Sequence, residues 1–202
     1  MIQPDIYDQL LTTVWDLYQK VPQLADFASL DRTLPKQDMT PLDHPSRHLF
    51  EQETFKQSSQ YADVLSAIQA ASAHMQWREI YTPPPGEANP EKYDFASRLG
   101  CFSITGLHSP FACDTMRMFM VYMPAGLHYP WHSHLAEELY FILSGQAVFQ
   151  RAGCEDAHLG EGDMMFHHSN QPHAMHTLDS PMVSLAIWRG HLFDPAVLLD
   201  LD

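Results

Sequence analysis

The sequence predicts an α+β chain in which an N-terminal helical segment, residues 1–75, precedes a mainly β-domain, residues 76–202. Apolar residues recur at helical spacing before residue 76, and short strand-like runs separated by glycine and proline turns follow it. The length of 202 residues suits one domain with a substantial core and an added subdomain. Many short strands of this kind are typical of an all-β sandwich or barrel.

Two helices are expected in the first 75 residues. Asp5 is a suitable N-cap for the first helix, which should end at Val21 because a proline follows it. A proline-rich connection covers 31–47, and a second long helix is expected from about 50 to 75. The second helix carries an apolar stripe for packing on the rest of the chain, made of Tyr61, Leu65, Ile68, Ala71 and Met75.

Strands are expected throughout the second part of the chain. An exposed loop from Pro83 to Gly86 separates the first candidate from the others. The candidate strands lie at 77–81, 101–107, 115–123, 128–134, 138–144, 146–151, 163–168, 173–178 and 182–189.

The composition argues against several classes of function. Eleven Lys+Arg residues against 25 Asp+Glu give a net charge of −14, so no basic surface is available for nucleic acid or an anionic membrane. The chain starts without a signal-like segment, and no apolar run approaches the roughly 18 residues that span a bilayer. Cys101, Cys113 and Cys154 show no CxxC pairing. We therefore expect a soluble, cytoplasmic protein with a small-molecule partner.

The stretch from Gly126 to Gly145 has the spacing of a metal site on β-strands. Residues i and i+2 of a strand share a face, so His132 and His134 present two imidazoles side by side. Glu138 occupies the next strand and would meet them if the two strands pair. Imidazole and carboxylate suit a divalent transition metal, with Zn²⁺ or Fe²⁺ ahead of Mn²⁺, Co²⁺ and Ni²⁺.

A further ligand is expected from a later strand, where His173 is the best candidate because it opens the strand after Pro172. His167 and His168 lie close to it in sequence. One of them could contact and orient a metal ligand, but we expect a position at the surface.

Two motifs identify the chain as resembling the cupin superfamily. Gly126-x5-His132-x-His134-x3-Glu138-x6-Gly145 matches the first cupin motif at every position. Gly162-x5-His168-x-Asn170-x2-His173 resembles the second motif, although the family usually has proline at 168 and glycine at 170. The resemblance implies a single double-stranded β-helix, or jelly-roll, barrel. It also implies one metal held by His132, His134, Glu138 and His173.

A narrower resemblance is to the cupin dimethylsulfoniopropionate (DMSP) lyases of marine bacteria, the DddL/DddQ type. The run YPWHSHLAEELYFILSG, the later SNQPHAM and Trp188-Arg189-Gly190 carry it, together with the helical extension before one barrel. The resemblance implies cleavage of DMSP to dimethyl sulfide and acrylate, with Tyr140 as the base.

The chemistry of β-elimination suits this set of residues. A base must take the proton α to the carboxylate, a Lewis acid must stabilise the developing charge, and an aromatic cage should hold the sulfonium. A dication beside Tyr140 would favour its phenolate. Proximity and strand alternation nominate four aromatic residues for the cage, namely Tyr129, Trp131, Tyr122 and Trp188.

Two other functions use the same barrel. An Fe²⁺-dependent cupin dioxygenase would employ the same ligands, and a small-molecule-binding cupin would need no chemistry at all. Tyr140 favours the lyase, because neither alternative needs a phenol beside the metal. The helices of 1–75 could cap the barrel or form a homodimer surface.

Overall fold

A computed structural model describes residues 5–55, 59–81 and 90–201. Its four α-helices all precede the first strand and are α1 (Ile6–Lys20), α2 (Pro22–Phe27), α3 (Pro45–Gln52) and α4 (Ala62–Ala71). Two short 3-10 helices follow them, at Ser72–His74 and Pro90–Ser97.

The first helix agrees with the sequence prediction at both ends. The Asp5 side chain accepts a hydrogen bond from the backbone N–H of Tyr7, and α1 stops at Lys20, before Val21. The predicted single helix from 50 to 75 is wrong. Glu53 has extended backbone angles after α3, so the chain breaks there and forms α3 and α4 as separate helices. The predicted apolar stripe is nevertheless buried throughout.

Nine strands form the rest of the described chain. They are β1 (Gly100–Thr105), β2 (Met116–Met123), β3 (His128–Ser133), β4 (Glu137–Arg151), β5 (Ala157–Gly160), β6 (Met164–His167), β7 (His173–His176), β8 (Met182–Arg189) and β9 (Val197–Leu198). The two predicted strands at 138–144 and 146–151 are one continuous strand, β4. Residues 77–81 form no strand, whereas β5 and β9 were not predicted. The predicted loop at Pro83–Gly86 lies outside the described residues.

The strands form two halves that share β4. The path of paired strands runs β1-β2-β8-β4-β7-β3-β9, with β5 and β6 also pairing with β4. The first half of β4 pairs with β6 and β8, and its second half pairs with β5 and β7. Gly145 lies between these halves with a φ of +78°. This arrangement confirms the predicted α+β fold, with helices before a β-barrel.

The two faces of the β2-β8-β4 sheet have different partners. Its outer face packs against α1, α3 and α4 and carries Met116, Met118, Met120, Leu139, Phe141, Leu143, Val183, Leu185 and Ile187. Its inner face lines the barrel and includes Val121, Tyr140, Ile142, Met182 and Ala186. The helices therefore cover one wall of the barrel, which leaves the interior to the polar residues described next. The division at residue 75 stays a prediction.

Two further features follow from the described residues. None of their helices is both long enough and apolar enough to cross a membrane. Cys101, Cys113 and Cys154 are free thiols of decreasing burial in that order.

Candidate active site

Two histidines and a glutamate meet inside the barrel, where β4 and β7 approach the end of β3. His134 Nε2 lies 3.2 Å from Glu138 Oε2, and His173 Nε2 lies 3.3 Å from the same oxygen. The three donor atoms lie within 4.8 Å of one another, and all three residues are buried. These residues could therefore hold one metal ion.

The backbone fixes which nitrogen of each imidazole is available. In all three barrel histidines Nδ1 lies 2.8–2.9 Å from a backbone carbonyl oxygen two residues away. Because a carbonyl only accepts, Nδ1 carries a proton, which leaves Nε2 as the nitrogen that could bind a metal. The histidines are His132, His134 and His173, and the carbonyls belong to Pro130, Ala136 and Gln171.

The Glu138 carboxylate is oriented by a tryptophan. The indole Nε1–H of Trp188 donates to Oε1 of Glu138 at 2.6 Å, which leaves Oε2 facing the two imidazoles. Trp188 also packs on His134, with ring centroids 4.3 Å apart. The two residues come from neighbouring strands, since Glu138 of β4 pairs directly with Trp188 of β8. Trp188 therefore positions the carboxylate, a role that the sequence analysis did not assign to it.

The electrostatics of this cluster favour a bound cation. Burial raises the pKa of Glu138, but His134 and His173 outweigh it and hold that pKa well below its usual value. Burial lowers the pKa of His134, but Glu138 outweighs it and the pKa is raised overall. A buried carboxylate needs a positive charge beside it, which a protonated imidazole or a bound dication supplies. His173 Nε2 has no hydrogen-bond partner, so the donor set fits a metal ion.

His132 lies beside this cluster rather than within it. Its ring centroid is 4.0 Å from that of His173 and 6.3 Å from that of His134. It stacks on Tyr129 at a centroid distance of 4.0 Å. Burial and the neighbouring His173 lower the pKa of His132 well below its usual value, so the imidazole is neutral. Its role as a fourth ligand stays a prediction.

His167 is buried, contrary to the expectation that it lies at the surface. Its ring stacks on His173 at 3.9 Å, and neither ring nitrogen has a hydrogen-bond partner. Burial, followed by the neighbouring His173, lowers the pKa of His167 to about 2. His167 is buried because it pairs with Glu138 across β6 and β4, so both side chains point into the barrel. His168, one residue later, is exposed as expected.

Tyr140 points into the same interior as Glu138. The two residues are two positions apart in β4, and both line a cavity of about 290 Å³. Tyr140 is buried, with Phe149 and His167 as ring neighbours. Burial raises the pKa of the Tyr140 phenol well above its usual value, and the negative charge of Glu138 raises it further. In these surroundings the phenol is protonated.

The structure separates the four predicted cage aromatics. Tyr129 and Trp188 line the cavity, and the hydroxyl of Tyr129 lies 3.1 Å from that of Tyr81. Tyr122 does not reach the cavity, because it lies on the outer face of β2 and donates to Glu53 at 2.6 Å. Trp131 of β3 is absent from the lining of the cavity. The predicted cage is therefore wrong at Tyr122 and Trp131, neither of which lines the cavity.

Two residues near the site were not predicted. Tyr81 is buried against Tyr129, which lines the cavity, and Arg117 lines the cavity from β2. Arg117 left one recognisable signal, a charged residue inside an otherwise apolar strand of alternating faces. No pattern in the sequence distinguished Tyr81.

Comparisons with known proteins agree with this architecture. A model of the dimethylsulfoniopropionate lyase family matches residues 19–184. The chain is 40% identical to dimethylsulfoniopropionate lyase DddQ of Ruegeria pomeroyi over 199 residues, which cover 98% of this chain and 96% of the relative. The crystal structure of that enzyme superposes with a TM-score of 0.88 over 96% of this chain and 95% of its own. A solved structure described as DMSP lyases RdDddP and RnDddQII superposes with a TM-score of 0.86 at 31% identity, over 96% and 98% of the two chains.

Proposed function

This chain belongs to the dimethylsulfoniopropionate lyase family, and on that premise we propose that it cleaves DMSP to dimethyl sulfide and acrylate by β-elimination. The observation that carries the proposal is the near full-length match to a DMSP lyase, in a chain whose candidate base Tyr140 and candidate ligand Glu138 line one cavity. The small substrate suits the cavity of about 290 Å³, which is at the lower end of the range for ligand pockets.

One divalent transition metal would be held by His134, Glu138 and His173, with His132 as the fourth ligand. The geometry of the first three supports this set, as do the Nδ1–H bonds that leave Nε2 of each imidazole as the nitrogen for a metal. Zn²⁺ and Fe²⁺ are the leading candidates because imidazole and carboxylate suit both, and the set also accepts Mn²⁺, Co²⁺ and Ni²⁺. When bound, the ion supplies a Lewis acid for the substrate carboxylate and a charge that favours the Tyr140 phenolate.

Tyr140 is proposed as the base. Its phenolate oxygen takes a proton from the carbon α to the carboxylate, and the electron pair of that C–H bond forms the double bond of acrylate. The bond from the β-carbon to sulfur breaks, and its electrons leave with dimethyl sulfide. The departing thioether is neutral, so no acid catalyst is needed. The burial of Tyr140 supports this role, because it excludes water that would compete for the proton.

The substrate would lie between Tyr140, Tyr129 and Trp188. Both aromatic residues line the cavity, and Tyr129 stacks on His132. Trp188 would act mainly by holding Glu138, since its N–H is already engaged by that carboxylate. A homodimer and a cytoplasmic location stay predictions.

The test is product formation by the metal-reconstituted protein. The protein is loaded separately with Zn²⁺, Fe²⁺, Mn²⁺, Co²⁺ or Ni²⁺ and incubated with DMSP. Dimethyl sulfide is measured in the headspace, and acrylate in solution. We expect equal amounts of both products with at least one ion and none after chelation. The absence of product with all five ions would contradict the lyase, and oxygen uptake instead would indicate the dioxygenase.

A further inference from the structure

Arg117 shares a row of the sheet with the proposed metal ligand. Arg117 of β2 pairs with Trp188 of β8, and Trp188 pairs with Glu138 of β4. Directly paired residues of antiparallel strands point to the same face, so all three side chains face the barrel interior. All three line the cavity described above.

The next row leaves space beneath Arg117. Phe119 of β2 pairs with Ala186 of β8, and Ala186 pairs with Tyr140 of β4. Because the central residue of this row is an alanine, a hollow forms between the two aromatic rings. A small molecule in this hollow would have the proposed base on one side and Arg117 near its other end.

The Arg117 guanidinium has hydrogen-bonding capacity that the protein does not use. Its Nη1 donates to the backbone oxygen of Leu192 at 3.0 Å, while its Nε is buried without a partner. Within the described part of the chain, no carboxylate forms an ion pair with it. Burial lowers the pKa of Arg117, yet a guanidinium stays charged at neutral pH. A partly buried cation with a buried, unpaired N–H is costly unless an anion binds there.

The aromatic rings near Arg117 already face a cation. The guanidinium carbon lies 4.6 Å from the ring centroid of Phe119 and 6.0 Å from that of Trp188. A sulfonium placed on these two rings would meet the like charge of Arg117 at short range, which is unfavourable in a partly desolvated site. A zwitterionic substrate would therefore direct its carboxylate, and not its sulfonium, toward this end of the cavity.

We propose that Arg117 is a specificity-determining residue that binds the carboxylate of the substrate. The inference rests on the proposed cleavage of DMSP and assigns the anionic end of that substrate to a residue that no motif identified. A carboxylate has two oxygens, so contact with Arg117 leaves one oxygen for the Lewis acid. Arg117 would thereby select 3-sulfonio carboxylates over sulfonium compounds that lack an acidic group.

The test separates the two ends of the substrate. The metal-loaded enzyme is titrated by calorimetry with propionate, which has only the carboxylate, and with trimethylsulfonium, which has only the cation. We expect Arg117→Met to weaken propionate binding and to raise the KM for DMSP by about 10- to 100-fold, as loss of a charge-assisted hydrogen bond should. Trimethylsulfonium should bind as well or better, and Arg117→Lys should restore part of the propionate affinity.

The matched control is Arg98→Met. Arg98 is an exposed arginine outside the lining of this cavity whose guanidinium donates to the backbone oxygen of Ala125, so its removal changes the net charge equally. The propionate affinity of this variant should stay within about 2-fold of wild type, because substitutions at exposed sites usually have small effects. If Arg117→Met does not fold, Arg117→Gln replaces it and carries the same expectation.

The outcomes distinguish this inference from the proposed function. Unchanged propionate binding in a folded Arg117 variant would overturn it, as would equal loss of propionate and trimethylsulfonium, which indicates a structural role. If the wild type releases no dimethyl sulfide but its propionate binding depends on Arg117, the lyase proposal fails and the carboxylate site stands. If Arg117→Met cleaves DMSP with an unchanged KM, the lyase stands and the carboxylate site fails.

Discussion

The imidazoles inside the barrel owe their orientation to the backbone that carries them. His132, His134 and His173 each donate Nδ1–H to a carbonyl only two residues away, so the local chain conformation leaves Nε2 as the nitrogen for a ligand. Glu138 depends instead on a distant residue, because its orienting donor Trp188 lies 50 positions later. A single substitution at Trp188 therefore removes the hydrogen bond that orients the Glu138 carboxylate.

Trp188→Phe should weaken metal binding by about 10- to 100-fold, since Glu138 loses the hydrogen bond that orients it. The phenyl ring keeps the apolar contact with His134, so the fold should persist. Chelator competition, monitored by metal analysis, measures the affinity. Trp131→Phe is the control, because Trp131 lies outside the cavity lining, and equal losses in the two variants would contradict the role of Trp188.

His173→Ala should reduce bound metal to less than one tenth of the wild-type content after dialysis, because one of three converging donors is lost. Plasma mass spectrometry of the purified protein gives the content. His168→Ala is the matched control, since His168 is exposed and lies five residues earlier. Full metal content in His173→Ala would rule out this ligand set.

Spacing in the sequence predicted the cluster of ligands, but not the pocket around it. His134 and Glu138 could be found because their spacing reflects local strand geometry, and His173 because it opens the strand after Pro172. Tyr122 was assigned the wrong face, since alternation along β2 gives two faces without saying which one the helices cover. The side that faces inward depends on strand pairing, which the local pattern does not contain.

At the scale of elements, β4 connects the two halves of the barrel. Its fifteen residues pair with β8 and β6 first and with β7 and β5 afterwards. Gly145 lies at this change of partners, with its φ of +78° and its α-carbon against the backbone of Pro181. β4 was predicted as two strands divided at this glycine, because glycine in a strand pattern also signals a turn.

Gly145→Ala should lower the free energy of unfolding by about 3 kcal/mol or more, because a β-carbon would overlap the Pro181 carbonyl as well as disfavour the positive φ. Gly153→Ala shares the φ of +78° but has open space around it, so it should cost only about 1 kcal/mol. Urea titration followed by tryptophan fluorescence measures both variants. Equal losses would show that the contact with Pro181 is unimportant.

At the scale of the whole molecule, the helices and the barrel share one hydrophobic core. Leu10, Val14, Leu65 and Ile68 pack with the outer side chains of β2, β4 and β8. The sequence correctly predicted that the helical stripes are buried and that a barrel follows them. It did not predict the break between α3 and α4, because residues 51–60 contain no glycine or proline that would mark the end of a helix.

A chain shortened to residues 76–202 should not give a stable, soluble monomer. It would expose the outer apolar side chains of the sheet, at about 1.5–3 kcal/mol each, and their sum exceeds the usual 5–15 kcal/mol of total stability. Size-exclusion chromatography and circular dichroism, with the full-length chain as the control, measure the outcome. A monomeric shortened chain with native strand content would show instead that the barrel is an independent domain.

We propose that Tyr140 removes the α-proton of DMSP beside a bound metal. Tyr140→Phe keeps the ring that packs on Phe149 and removes only the hydroxyl, so the metal content should equal that of the wild type. The decisive measurement is headspace dimethyl sulfide from the two proteins at equal metal content. We expect the variant to lose at least about 100-fold in kcat, as loss of a general base should. Wild-type turnover by the metal-loaded variant would contradict the assignment of Tyr140 as the base.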